Sequence, residues 1–249
     1  MTTRTRMFVL AIAAVILSAH CIAAQQTKPT TCSTADIDGP YGAALQGATT
    51  SGDLLGEGGQ IIFDGQGKLS GTWIIDVNGQ QISVPAHGTY SVSPGCLGKM
   101  TMKFQQQTIH FNLVVDPNQR LELIVTDSGV IQVGYAIPQG NATCTKAGLA
   151  GAWDWNSVGY QIGVGPGGFI GRVNFLANGK MSGTVTLSID GQIVSDIHAG
   201  GTFTIQSTCM GTVTFEVAKQ KQPTAVIVVV NGGSEILVPG ALGAITATR

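Results

Sequence analysis

Charge is scarce in this chain. Only 11% of its 249 residues are Asp, Glu, Lys or Arg, less than half the usual share of roughly 25%. Lys and Arg number 13 against 14 Asp and Glu, a net charge of −1, so no basic excess is present to neutralise phosphates. That argues against nucleic acid as a partner. Aromatic residues are also few, at 6%, and no segment of useful length after residue 24 repeats at a helical period. Disorder combines high charge with low hydrophobicity, whereas 43% of these residues are hydrophobic. Glycine is the exception to the scarcity: 35 residues, about twice the average share of roughly 7%. Many short strands joined by tight turns are the architecture this composition suits.

Residues 1–24 read as a secretory signal peptide. Arg4 and Arg6 precede an apolar run from Met7 to Leu17, and Ala23-Ala24 offers a small-residue cleavage site before Gln25. Ser18 and His20 interrupt the run, which is short for a membrane span of ~20 residues. No later segment reaches that length, so no integral membrane segment is expected after cleavage. Cleavage removes Arg4, Arg6 and Cys21 and leaves Cys32, Cys96, Cys144 and Cys209. An even number of cysteines in an exported chain points to disulfides and to a secreted or periplasmic location. Residues 25–31 read as a linker.

The remainder is one unit written twice. Cys32, Gly39 and Tyr41 recur 112 residues later as Cys144, Gly151 and Trp153. At the same offset Gly67-Lys68-Leu69-Ser70-Gly71-Thr72 meets Gly179-Lys180-Met181-Ser182-Gly183-Thr184. One inserted residue later, Gly88-Thr89-Tyr90 meets Gly201-Thr202-Phe203, and Cys96 meets Cys209. The two copies span 32–139 and 140–249. Four cysteines permit three pairings, and the duplication favours the one in which each copy closes itself, Cys32–Cys96 and Cys144–Cys209. Each such bridge would contribute on the order of 3–4 kcal/mol in the chain-entropy model.

Hydrophobicity alternates with a period of two in both copies. Leu69, Gly71, Trp73, Ile75 and Val77 alternate with Ser70, Thr72, Ile74, Asp76 and Asn78, the pattern of a strand with one buried face. Asn78-Gly79, Asp190-Gly191 and Asn178-Gly179 are hairpin turns in waiting, because they tolerate positive φ. About eight strands per copy, joined by short turns, form a meander that closes most readily into an up-and-down barrel and so loses its free edges. The fold expected is therefore all-β: two tandem eight-stranded antiparallel up-and-down barrels. Two immunoglobulin-like sandwiches, of similar length with one bridge each, are the alternative.

Gly151-x-Trp153, and more weakly Gly39-x-Tyr41, opens the first strand of each copy. That resembles the opening of the calycin barrels, the lipocalins and avidins, and the hairpin Asn178–Thr184 is similar in style to the avidin second turn. The resemblance implies a barrel fold and carries no ligand, since neither the lipocalin closing arginine nor a biotin-contact set is matched. The repeat also looks like exported bacterial β-repeat proteins of unassigned activity.

Counting parity along the strands puts Tyr41, Ile61, Phe63, Trp73, Met100 and Phe111 inside the first barrel and no Asp, Glu, Lys, Arg or His with them. An acid–base catalyst is not expected there; neither is a catalytic residue elsewhere, a cofactor or a metal site. His87, His110 and His198 show no metal-ligand spacing with a nearby carboxylate. Each interior is either filled by its own side chains or holds one small apolar ligand, for which Trp73, Trp153 and Trp155 are the candidate wall. One strand, Ala225–Val230, is apolar on both faces. Its expected outward residues, Ala225, Ile227 and Val229, together with Val114 of the first copy, are the candidate interface, between barrels or between chains. Three functions remain open: a non-enzymatic secreted or periplasmic carrier, a structural or adhesive surface element, and an enzyme of cyclase or isomerase type.

Overall fold

The computed structural model describes residues 31–161, 165–240 and 245–249. The expected signal peptide lies outside the described residues, as does the linker apart from residue 31. Sixteen strands follow in chain order: β1 (Asp38–Thr49), β2 (Leu54–Asp64), β3 (Lys68–Val77), β4 (Gln80–Val92), β5 (Leu97–Phe104), β6 (Gln107–Val115), β7 (Leu121–Val125), β8 (Val130–Pro138), β9 (Gly151–Gln161), β10 (Gly165–Phe175), β11 (Lys180–Ile189), β12 (Gln192–Ile205), β13 (Met210–Val217), β14 (Gln220–Val230), β15 (Glu235–Val238) and β16 (Ile245–Thr248). Within each copy every strand pairs with its sequence neighbours. β1 pairs β8 and β9 pairs β16, which closes two separate barrels. Closure removes the immunoglobulin-like alternative, whose sheets stay open. β4 begins as early as Gln80, because Gln80 to Ala86 continues the hairpin made by the turn Asn78-Gly79, where both residues take positive φ.

The glycine excess has a steric cause. Closing only eight strands coils each one tightly and brings neighbouring backbones together on the inner face. A Cβ on Gly71 would meet the carbonyl oxygen of Gln60 on the next strand, and a Cβ on its counterpart Gly183 would meet that of Arg172. The repeat retains glycine at both places because no side chain fits.

Each barrel has a stapled end. In the first, a 3-10 turn (Thr34–Asp36) lies across the end at which β1 begins. Ile37 is fully buried there, Tyr90 donates its hydroxyl to the Ile37 carbonyl at 2.6 Å, and Cys32 is bonded to Cys96. In the second, Cys144 is bonded to Cys209, and Trp153 donates its indole N–H to the Leu149 carbonyl at 2.8 Å. Both bridges are the expected ones, each local to its copy.

The barrels dock on one another. Val228, Val230 and Leu237 of the second form a buried cluster with Ala44 and Ile137 of the first. Gly42 leaves the space that the Val228 and Val230 methyl groups occupy. A glutamine pair spans the seam: Gln60 donates to the Gln139 side chain at 2.7 Å and to the Thr208 carbonyl at 2.6 Å, and Gln139 donates to the Val229 carbonyl at 3.0 Å. β14 is therefore covered by the other barrel, but with the opposite face from the one expected. Ala225, Ile227 and Val229 point into the second barrel, and Val228 and Val230 point out. The reason is register. Ala225 lies opposite Val213, which is fully buried inside, after an irregularity between Thr214 and Glu216. A strand apolar on both faces carries no signal of its own to set that phase. Val114 is not part of the seam; it is exposed on the outer wall of the first barrel, in an open groove of about 550 Å³ shared with Leu97 and Ile124.

Candidate functional site

The interior of the first barrel holds polar groups, which corrects the expectation of a purely apolar lining. Glu57 of β2 has the same parity as Ile61 and Phe63, and it lies opposite Leu45 on one side and Ile75 on the other. It is 5% exposed. Trp73 of β3, fully buried, donates its indole N–H to the Glu57 carboxylate at 2.9 Å. Burial raises the pKa of Glu57, and the Trp73 hydrogen bond offsets part of that rise. Gln132 of β8 also faces inward and is 1% exposed, yet neither its amide oxygen nor its amide nitrogen has a hydrogen-bond partner. A buried carboxamide without partners is uncommon, because the lost solvation costs roughly 1–3 kcal/mol per unmatched group.

Register brings Gln132 and Glu57 to one level. Leu45 of β1 pairs with Glu57 on β2 and with Gly134 on β8; Gly47 pairs with Gln132 on β8 and with Leu55 on β2. The two polar side chains thus flank β1 one inward step apart, and the Leu45 side chain packs over Gly134 between them. Both lie toward the end of the barrel opposite the disulfide, where Ile75, Ile109 and Val130 are only partly buried and Ile82 is 53% exposed. This end has no counterpart of the 3-10 turn among the described residues. Tyr41, whose hydroxyl also lacks a partner, belongs to the stapled end, edge-on to Phe63. Burial lifts its pKa to about 12.

The second barrel is built differently. Trp155 stacks on Phe175 at 5.9 Å and meets Phe215 edge-on at 5.1 Å, while Phe175 lies 4.4 Å from Phe203. At the place of Glu57 this copy has Phe169, and at the place of Trp73 it has Val185. Its interior is an aromatic stack, with the Trp155 indole N–H as an unpartnered polar atom. The three tryptophans therefore do not share a wall: Trp73 is in the first barrel, Trp153 and Trp155 are in the second, and each is at most 2% exposed. Of the three, only Trp73 touches a titratable group in a barrel interior among the described residues.

Parity counting misses Glu57 because Gly58-Gly59 interrupts the apolar series leading back from Ile61. It misses Gln132 because Ile131 and Val133, the outward neighbours, are apolar and exposed, which makes the wrong face of β8 look like the core. His110 accepts no such role. It is exposed on the outer wall, its ring 2.8 Å from Asp127, tying β6 to the residue pair after β7. Among the described residues no group of three or more His, Cys, Asp or Glu could hold a metal ion, and no helix is long and apolar enough to cross a membrane.

Fold and interior together define a class: a disulfide-stapled tandem of two eight-stranded barrels, one with a polar lining and one filled by aromatic rings. The chain matches no protein-family model and no curated protein.

Proposed function

We propose that this is a secreted or periplasmic, non-enzymatic carrier whose first barrel takes one small, mainly apolar ligand, with the second barrel as its docked support. The observation that supports the reading is Gln132, a buried carboxamide inside an apolar barrel with both polar atoms unpaired, the kind of isolated polar group that orients a ligand in an otherwise apolar interior. The unplugged end, bordered by Ile75, Ile109 and Val130, is the way in. Two disulfides fit an oxidising compartment. The resemblance of the Gly-x-Trp openings to calycin barrels, many of them carriers, agrees with the same reading.

A second reading, catalysis of cyclase or isomerase type, draws on Glu57, a carboxyl with a raised pKa inside a barrel. It has less support. General acid–base chemistry at two centres calls for a second titratable group in reach; the other titratable groups of this interior among the described residues, Tyr41 and Tyr90, belong to the stapled end, and Gln132, on Glu57's side, does not titrate.

Native mass spectrometry of the protein purified from its own host tests the carrier reading. A small-molecule adduct released on denaturation is expected, as is saturable binding of Nile red. Absence of both overturns it.

A further inference from the structure

Independently of what either interior holds, we infer that the outer wall of β5, β6 and β7 is a docking surface for a barrel of this same repeat on another chain, and that the Asp154–Arg172 ion pair keeps the chain from docking there on its own copies. The internal seam supplies the reason. It is heterologous: the second barrel gives the outer wall around β14 and β15, and the first receives it on β1, β2 and β8. A duplicated chain carries each of these walls twice. The seam uses one of each, which leaves a giving wall on the first barrel and a receiving wall on the second. An interface of this kind repeats head to tail unless something ends it.

The free giving wall matches its counterpart where the seam packs. Met210, Val228 and Leu237 lie side by side across β13, β14 and β15. Cys209 precedes Met210 as Cys96 precedes Leu97, and the same row of the first barrel is Leu97, Val114 and Glu122, with Ile124 beside it on β7. Val228 and Leu237 are fully buried against the first barrel. Leu97, Val114 and Ile124 are instead exposed along the outer groove of about 550 Å³. In the copy where this wall is covered, its cover is a barrel of the repeat, and that defines the occupant.

The free receiving wall is altered. Gly42 admits the Val228 and Val230 methyl groups, and a Cβ there would collide with both. Its counterpart is Asp154, which lies opposite Thr248 as Gly42 lies opposite Ile137. The counterpart of Gln60 is Arg172. Arg172 donates to the Asp154 carboxylate from Nε at 2.6 Å and Nη2 at 2.8 Å, and both side chains are more than half exposed. A copy docking here would meet a side chain where the seam has space, and would take an ion pair out of water, a loss that the attraction within the pair repays poorly. The polar wall ends the array as a capping repeat ends a solenoid. The partner is therefore a barrel with small, uncharged residues at those places. Glu122, standing where the seam has Leu237, makes this contact weaker than the seam.

The test uses the mature full chain as giver. The receiver is the same chain with Asp154→Gly, Asn156→Ala, Arg172→Gln and Thr248→Ile, which rebuild the wall the seam uses, and Val114→Asp, which closes its own giving wall. All these positions are exposed, and melting curves establish that both proteins are folded. Sedimentation velocity is expected to show each alone as a monomer and the mixture as a 1:1 complex. Val114→Asp in the giver is expected to weaken that complex at least about 10-fold, because it buries a charge without a partner. Absence of a complex overturns the docking surface, and self-association of the unaltered chain that Val114→Asp abolishes overturns the block. A second variant needs no rebuilt wall. Gly42→Asp with Gln60→Arg moves the ion pair into the internal seam and is expected to split one calorimetric transition into two. One transition at the parent temperature overturns the role of the pair.

Discussion

Trp73 and Glu57 are joined by a 2.9 Å hydrogen bond entirely inside the first barrel. They sit on adjacent strands, two residues out of direct register, since Glu57 faces Ile75 and Trp73 faces Gly59. The diagonal works because Gly59 has no side chain, so the indole can lean across it toward the carboxylate. Glu57 has no cationic partner among the described salt bridges, and that makes its protonation part of the stability of the fold.

Burial puts the pKa of Glu57 above that of an unfolded glutamate, which lies near about 4.3. The folded state therefore holds this proton more tightly. Its contribution to stability is fully present below the unfolded value, declines as pH rises through the folded value, and is level beyond. The exposed carboxylates Asp53, Asp64 and Asp154, held low by hydrogen bonds from Asn78, Lys68 and Arg172, act with the opposite sign at lower pH. Glu57→Gln keeps an acceptor for Trp73 and removes the titration. Melting temperatures of the two proteins from pH 4 to 9 should diverge as pH rises, with the variant more stable at neutral pH. Parallel curves would contradict the burial of Glu57.

Trp73→Phe removes the donor and leaves the carboxyl unmatched. The expected loss is about 1–3 kcal/mol in urea unfolding. In a Glu57→Leu background the same substitution should cost less, and a double-mutant cycle reads the difference as the coupling between the two groups.

Each disulfide closes a loop within one barrel, with sequence separations of 64 and 65. Replacing either pair with serine should cost about 4 kcal/mol, measured by denaturant unfolding under non-reducing conditions. Because the bridges belong to different barrels, the two losses should add. A peptide map of unreduced protein that links Cys32 or Cys96 to Cys144 or Cys209 would contradict the pairing.

Gly42→Val places methyl groups where Val228 and Val230 already sit, at the seam and away from either interior. The barrels should part without unfolding. Calorimetry is expected to show one transition in the parent and two in the variant. One transition at an unchanged temperature would mean that the seam contributes little.

Much of this was legible in the sequence because it is written twice. The matched cysteines, glycines and turns imply two copies, the period-two alternation of Leu69 to Val77 implies a strand with one buried face, and eight such strands joined by short turns imply a closed barrel. What escaped reading was phase. Ala225–Val230 is apolar on both faces, since one face lines a barrel and the other meets its neighbour, and only the pairing of Ala225 with Val213 says which is which. Glu57 and Gln132 escaped for a related reason. Parity is inferred from apolar residues, so a polar residue pointing inward looks like evidence for the opposite face. The polar residues inside the first barrel were thus the ones that the alternation rule is least able to place.

The staple and the rim of the first barrel divide its surface into parts with different freedom to change. The disulfide and the 3-10 turn fix the end at which β1 begins, so loops there are constrained by covalent closure. The turn at residues 105–106, at the other end, lies between two strands whose pairing is already complete without it, whereas residues 126–129 hydrogen-bond to His110 and Thr50. Sequence varied at residues 105–106 should therefore disturb the fold less than sequence varied at the stapled end.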